Sequence, residues 1–180
     1  MKIAAISGSL RAASYNSQLL NLVGEIVTEQ GHDFEICGIG HLPLYNQDLD
    51  NDDKPEVVSD LIQSIAQADG LIIATPEYNY SIPGGLKNAL DWASRPAYKS
   101  CLAQKKVAIV SAANGPLGGA RAQVHLRDIL AGTLTYVYRA PDFLLASAGT
   151  AFTPDGAFDD PTMQSKLERF VTGYLSWLNE

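Results

Sequence analysis

The chain has 180 residues, a formal net charge of -7, a 46% hydrophobic share and an 18% charged share. That length suits one domain (1–180) with a substantial core, and the composition excludes a disordered chain. An acidic surface repels phosphate backbones, so nucleic acid is not an expected partner, and any anion site must be local, with its own donors.

The first element is a buried strand over Lys2 to Ser7, followed by a polar stretch, GSLRAASYNS. Leu19, Leu20, Val23 and Val27 recur at helical spacing, which predicts a helix from Ser17 to Gln30, stopped by Gly31. A second strand is expected over Phe34 to Ile39, then a polar loop over His41 to Lys54. Val58, Leu61, Ile62 and Ile65 predict a helix from Pro55 to Ala68, with proline in a first turn. GLIIAT (70–75) reads as a third, wholly apolar strand, and Leu86 to Ser94 as a helix opened by Pro83. KVAIVS (106–111) is the fourth strand, 119–131 a helix, LTYVY (134–138) the fifth strand, and Thr162 to Leu178 the closing helix.

Five strands alternating with helices, the central ones apolar on both faces, predict an α/β fold with three α/β/α layers around a parallel sheet. Five strands favour the flavodoxin-like doubly wound order over the six-stranded dinucleotide type. Ligands in such sheets bind beyond the carboxyl ends of the strands, at the switch in strand order. The loops after Ser7, Thr75 and Ser111 are therefore the ones to inspect.

Cys37 and Cys101 form no CxxC pair and no zinc-spaced cluster with histidine, so no metal site is expected. Free thiols, the absence of a signal-peptide pattern and the lack of a long apolar run lead us to expect a cytoplasmic protein without a membrane partner.

In the first loop, Ser9, Ser14 and Ser17 offer hydroxyls, Asn16 an amide and Arg11 a charged fork. At a helix start, where backbone N–H groups are unpaired, this set describes a monophosphate cradle. There is no GxxxxGK[ST] and no GxGxxG, so neither a triphosphate loop nor a dinucleotide turn is expected here. A plain N-cap explains one of these residues, worth about 1 kcal/mol, but gives no reason for Arg11.

The second loop, TPEYNYSIPGGLKNALDW (75–92), has two aromatics, an Asn, and glycines that admit close approach. It suits a flat heterocycle, or alternatively a turn and helix start capped by Ser81. Set beside a phosphate site, the flat-ring reading suggests a mononucleotide. The third loop, SAANGPLGG (111–119), can present backbone donors or serve as a plain connection. His125 reads as a structural or interface residue.

GSLRAASYN with TPEYNYSIPGGLKNALDWASR, in that order and at that separation, closely resembles the NADPH-dependent FMN reductase family, and SAANGPLGGARAQVHLRDIL resembles its quinone/chromate-reductase branch. The resemblance implies bound FMN, with NADPH or NADH as donor. It implies ping-pong reduction of small acceptors such as flavins, quinones, chromate, and nitro or azo compounds. It implies phosphate contacts from Ser9, Arg11, Ser14, Asn16 and Ser17. It also implies a ring site lined by Pro76, Glu77, Tyr78 and Asn79, bordered by Ser111, Asn114 and Gly115. A homodimer or homotetramer with FMN near the interface is expected, and no dedicated catalytic side chain, since the cofactor carries the chemistry. Two other classes compete. An FMN-binding electron carrier without NAD(P)H oxidation is disfavoured by Arg11. A nucleotide hydrolase or glycosyl transferase would use Glu77 as nucleophile.

Overall fold

A computed structural model describes residues 1–180. The elements in chain order are β1 (Lys2–Ser7), α1 (Tyr15–Glu29), β2 (Asp33–Cys37), α2 (Glu56–Gln67), β3 (Gly70–Thr75), α3 (Gly84–Ala93), β4 (Lys106–Ala112), α4 (Ala120–Gly132), β5 (Tyr136–Val137), β6 (Phe143–Leu145) and α5 (Pro161–Leu178). The sheet runs β2-β1-β3-β4-β5, all parallel, with β6 also paired to β4. This is the flavodoxin-like order, and its switch point lies between β1 and β3.

Alternation along the strands sorts the core into two layers. Ile3 and Ala5, Ile72 and Ala74, Ala108 and Val110 face α1 and α5, where Leu19, Leu20, Val23, Val171 and Tyr174 cover them. Ala4 and Ile6, Leu71 and Ile73, Val107 and Ile109 face α2, α3 and α4 through Leu61, Ile65, Leu86, Leu90 and Leu126. Both faces are dry, which is why the central strands read as continuous apolar runs rather than alternating ones.

The expected fifth strand, 134–138, is present but pared to Tyr136–Val137, and a further short strand, β6, follows it. Pairing starts at Tyr136, stops at Val137 and resumes on β4 at Phe143. Leu134 stands in the left-handed region (φ 60), outside strand geometry; Tyr138 N–H still donates to Val107 O at 2.8 Å, and its ring packs on Phe170, Tyr174 and Trp177. The second strand ends at Cys37, two residues short of the expected Ile39. Helix starts also shift: Ser14, Pro55, Pro83 and Asp160 are the N-caps of α1, α2, α3 and α5.

The amino end of the sheet is closed by Tyr174. Its hydroxyl donates to Lys106 O at 2.9 Å, with Leu71 O a second acceptor at 3.2 Å, and burial pushes the phenol pKa up. Gly70 makes room for it: a Cβ there would run into the Tyr174 hydroxyl and come within 2.8 Å of Leu178. Gly70→Ala should therefore destabilise by about 1–3 kcal/mol of overpacking. Adding Tyr174→Phe, which removes the clashing atom, should recover part of that loss in a urea-unfolding double-mutant cycle. Strict additivity of the two losses would show that the contact is not the cause.

Candidate functional site

The carboxyl ends of β1, β3 and β4 lie side by side, since Ser7 is in register with Ala74, and Thr75 with Ser111. Gly8 N–H donates to Ala74 O at 2.8 Å, which carries the β1–β3 ladder one step into the first loop. From there the chain turns outward. The backbone N–H groups from Leu10 to Asn16 find no acceptor in the protein. Ser14 caps α1, accepting from Ser17 N at 3.2 Å, and its hydroxyl proton remains available. Ser9 is buried and its hydroxyl makes no hydrogen bond, while Ser17 and Ser7 share one at 2.9 Å. The Arg11 guanidinium lies at the lip of the loop, over the Tyr15 ring at 5.3 Å and bonded to Ala13 O. A run of free N–H groups at the positive end of a 15-residue helix, with two hydroxyls and one guanidinium, fits a phosphate dianion.

Asn16 has a different place from the one expected. Its amide is buried and donates to Ala112 O at 2.9 Å while accepting from Ala112 N at 2.9 Å. The side chain is thus wholly committed to β4. Only its backbone N–H faces the cradle, so Asn16 positions the loop rather than gripping a ligand with its amide.

In the second loop, Tyr78 and Ser81 exchange backbone hydrogen bonds at 2.9 and 3.0 Å. They enclose a two-residue turn in which Asn79 (φ 49) and Tyr80 (φ 68) are both left-handed. Asparagine tolerates this, but for tyrosine it costs about 1–2 kcal/mol. Pro76 is buried and its carbonyl accepts from Thr75 Oγ1 at 2.9 Å. The N–H groups of Glu77, Asn79 and Tyr80 make no protein hydrogen bond and can serve the polar edge of a ring. The Glu77 carboxylate turns away, toward the start of α4. Oε2 accepts from Arg121 N at 3.1 Å, and Oε1 lies 3.2 Å from Arg121 Nε, off the line of a hydrogen bond, so that contact is ionic. A carboxylate held this way on a helix N-terminus is poorly placed as a nucleophile, which removes the support for the hydrolase alternative.

The third loop is shaped from below. Ser111 is fully buried; its hydroxyl donates to Gly118 O at 2.6 Å and accepts from Gln123 Nε2 at 2.9 Å. It therefore does not line the edge, as the motif suggested, but braces the loop. Gly119 (φ 92) is required there, because a Cβ would sit 2.8 Å from Ser111 Cβ. Asn114 and Gly115 are exposed, and Asn114 Oδ1 accepts from Gly149 N at 2.8 Å.

That last bond brings in residues that sequence reasoning did not include. The turn at 147–150 follows β6, lies against Asn114, and comes close to Tyr15, whose ring stacks on Phe152 at 6.4 Å. Gln123, also not singled out, is wholly buried. Its Nε2 bridges Ser111 Oγ and Phe143 O, tying α4 to both β4 and β6. Gln123 lies inside the SAANGPLGGARAQVHLRDIL segment but was given no role there; the apolar run at 143–145, which pairs with β4, was the signal for the turn that follows it.

Comparison with known proteins agrees with this geometry. The family model described as NADPH-dependent FMN reductase matches residues 1–150. A 2-hydroxy-1,4-benzoquinone reductase from Burkholderia sp is 39% identical over 180 residues, covering 100% of this chain and 97% of the relative. An NAD(P)H:quinone oxidoreductase from Solanum tuberosum is 41% identical over 172 residues, covering 93% of this chain and 87% of the relative. Among solved structures, the flavoenzyme NAD(P)H:acceptor oxidoreductase FerB from Paracoccus denitrificans superposes with a TM-score of 0.91 at 33% identity, over 99% of this chain and 97% of that one. The sheet order, the two loop motifs and these matches together establish that the chain belongs to the NADPH-dependent FMN reductase family.

Proposed function

We propose that the chain acts as a single FMN-binding unit, an oxidoreductase that takes electrons from NADPH or NADH and delivers them to quinones, flavins or related acceptors. The observation that carries this reading is the open run of N–H donors from Leu10 to Asn16, one strand away from a second set on Glu77, Asn79 and Tyr80. The first suits a monophosphate and the second a flat polar ring. Backbone N–H groups from Leu10 to Asn16, with Ser9, Arg11 and Ser14, would hold the FMN phosphate; Ser17 and Asn16 set the shape of that loop. Pro76, Glu77, Tyr78 and Asn79 would border the ring chiefly through main chain, with Asn114 and Gly115 on its far side.

Bound FMN supplies the two-electron redox chemistry. The protein orients it, neutralises its phosphate locally in an acidic chain, and leaves the edge open so that donor and acceptor use one place in turn. Chromate and nitro or azo compounds belong to the same acceptor range. Leu10, Tyr78, Tyr80, Leu117 and Val124 are exposed around this edge, which supports a homo-oligomer with the site near its interface. No helix is long and apolar enough to cross a membrane. The two free cysteines support a cytoplasmic location.

The purified protein, or protein reconstituted with FMN, should show flavin absorbance and oxidise NADPH or NADH with a quinone in parallel-line, ping-pong kinetics. Flavin binding without NAD(P)H oxidation would instead identify an electron carrier, and no flavin binding at all would end the proposal. Arg11→Ala removes a charge-assisted contact and should raise the FMN Kd by roughly thirty-fold, about 2 kcal/mol, as read by quenching of FMN fluorescence. The thiols take no part: burial pushes Cys101 up to about 11 and raises Cys37 as well. Iodoacetamide at neutral pH should leave quinone reduction unchanged.

A further inference from the structure

The tip of the second loop, residues 78–80, stands in solvent, while Pro76 and Ile82 on either side are buried. Tyr78 is 48% and Tyr80 65% exposed, and both residues of the turn between Tyr78 and Ser81 are left-handed. Such a turn persists only where the surroundings over-determine it. Here the surroundings are one face of α4. Arg121 N–H and Nε meet the two carboxylate oxygens of Glu77 at 3.1 and 3.2 Å. The Arg121 guanidinium lies over the Tyr80 ring, its Cζ 3.9 Å from the centroid. One turn further on, His125 Nδ1 shares a hydrogen bond with Ser81 Oγ at 3.0 Å. Residues 77, 80 and 81 are thus gripped by 121 and 125, an i, i+4 pair. The helix that grips them is itself immobilised. Gln123, between the two, reaches into the sheet to Ser111 and Phe143, and Gly119 packs against Ser111.

We propose that Arg121 is a positioning residue for the ring site: clamped by Glu77 and stacked on Tyr80, it holds the strained 77–81 turn in the shape that presents its free N–H groups to the flavin. This deepens the function proposed above and rests on it. Arginine suits the task where lysine does not, because only a planar guanidinium covers a ring face while keeping Nε beside a carboxylate. Arg121 sits on α4, beyond the three loops, and touches neither the phosphate cradle nor the turn's own hydrogen bonds. Its effect on FMN is therefore transmitted through the turn.

The test compares FMN affinity and amide hydrogen exchange at residues 77–81 in the parent protein, Arg121→Ala, Arg121→Lys, and Arg121→Ala combined with Tyr80→Gly. Asn-Gly adopts the left-handed pair without strain, so glycine should make the clamp dispensable. Arg121→Ala and Arg121→Lys should each raise the FMN Kd about tenfold and speed exchange at 77–81, with the thermal midpoint of the apoprotein little changed. Tyr80→Gly in the Arg121→Ala background should recover most of the lost affinity. Unchanged Kd and exchange in Arg121→Ala, or failure of Tyr80→Gly to restore affinity, would overturn the proposal. If Arg121→Ala does not fold, the Lys variant and its Tyr80→Gly partner decide the matter by the same readings. A parent protein that binds no FMN would refute the cofactor reading instead, and the exchange data would still judge the clamp.

Discussion

The paired hydrogen bonds between the Asn16 amide and the main chain of Ala112 hold the site together. Asn16 stands in the first turn of α1, which follows β1, yet it bonds to β4, two strands away across the switch point. The amide takes both the N–H and the carbonyl of one residue, so it fixes orientation as well as distance. Both groups are buried, and neither has water to fall back on, so the link is costly to break. Through it the phosphate loop and the end of β4 move as one body. Everything at the sheet edge is built relative to that joint.

On this frame the two halves of the proposed site, the phosphate half and the ring half, have different physical characters. The phosphate half is a set of unused donors: a capped helix start, hydroxyls and one guanidinium, with little strain. It suits a charged group whose hydration must be replaced by many short-range donors in a protein of net charge -7. The ring half is a left-handed turn held from outside by α4. A flat, largely uncharged ligand offers less electrostatic return, so its site depends on geometry set in advance. The brace runs from β4 and β6 through Ser111 and Gln123 to Arg121, and so to the turn.

Much of this was legible from residue order. The apolar runs placed β1, β3 and β4, and helical spacing placed the helices to within a few residues. The loops after those strands carried the polar residues and turn formers that mark a ligand edge. What misled was residue type taken as role. Asn16 and Ser111 are polar residues inside binding motifs, but both point inward and satisfy main chain. Glu77, the nucleophile of the hydrolase alternative, is paired to Arg121, 44 residues on. The fifth strand is shorter than expected and β6 was not foreseen: pairing to β4 breaks across 139–142 and resumes at Phe143, where the chain returns to the edge.

The sequence by itself determined the layered parallel fold, the edge proposed to bind the ligand, and the kinds of group gathered there. These follow from local facts: periodicity, strand–loop–helix order, and donors clustered at a helix start. Only the tertiary structure decided which polar side chains are left free at that edge and which serve as internal ties. That depends on contacts such as Asn16 with Ala112, Gln123 with Phe143, and Arg121 with Glu77 and Tyr80. A side chain's partner is set by the crossing of distant strands and helices, and no local pattern encodes it.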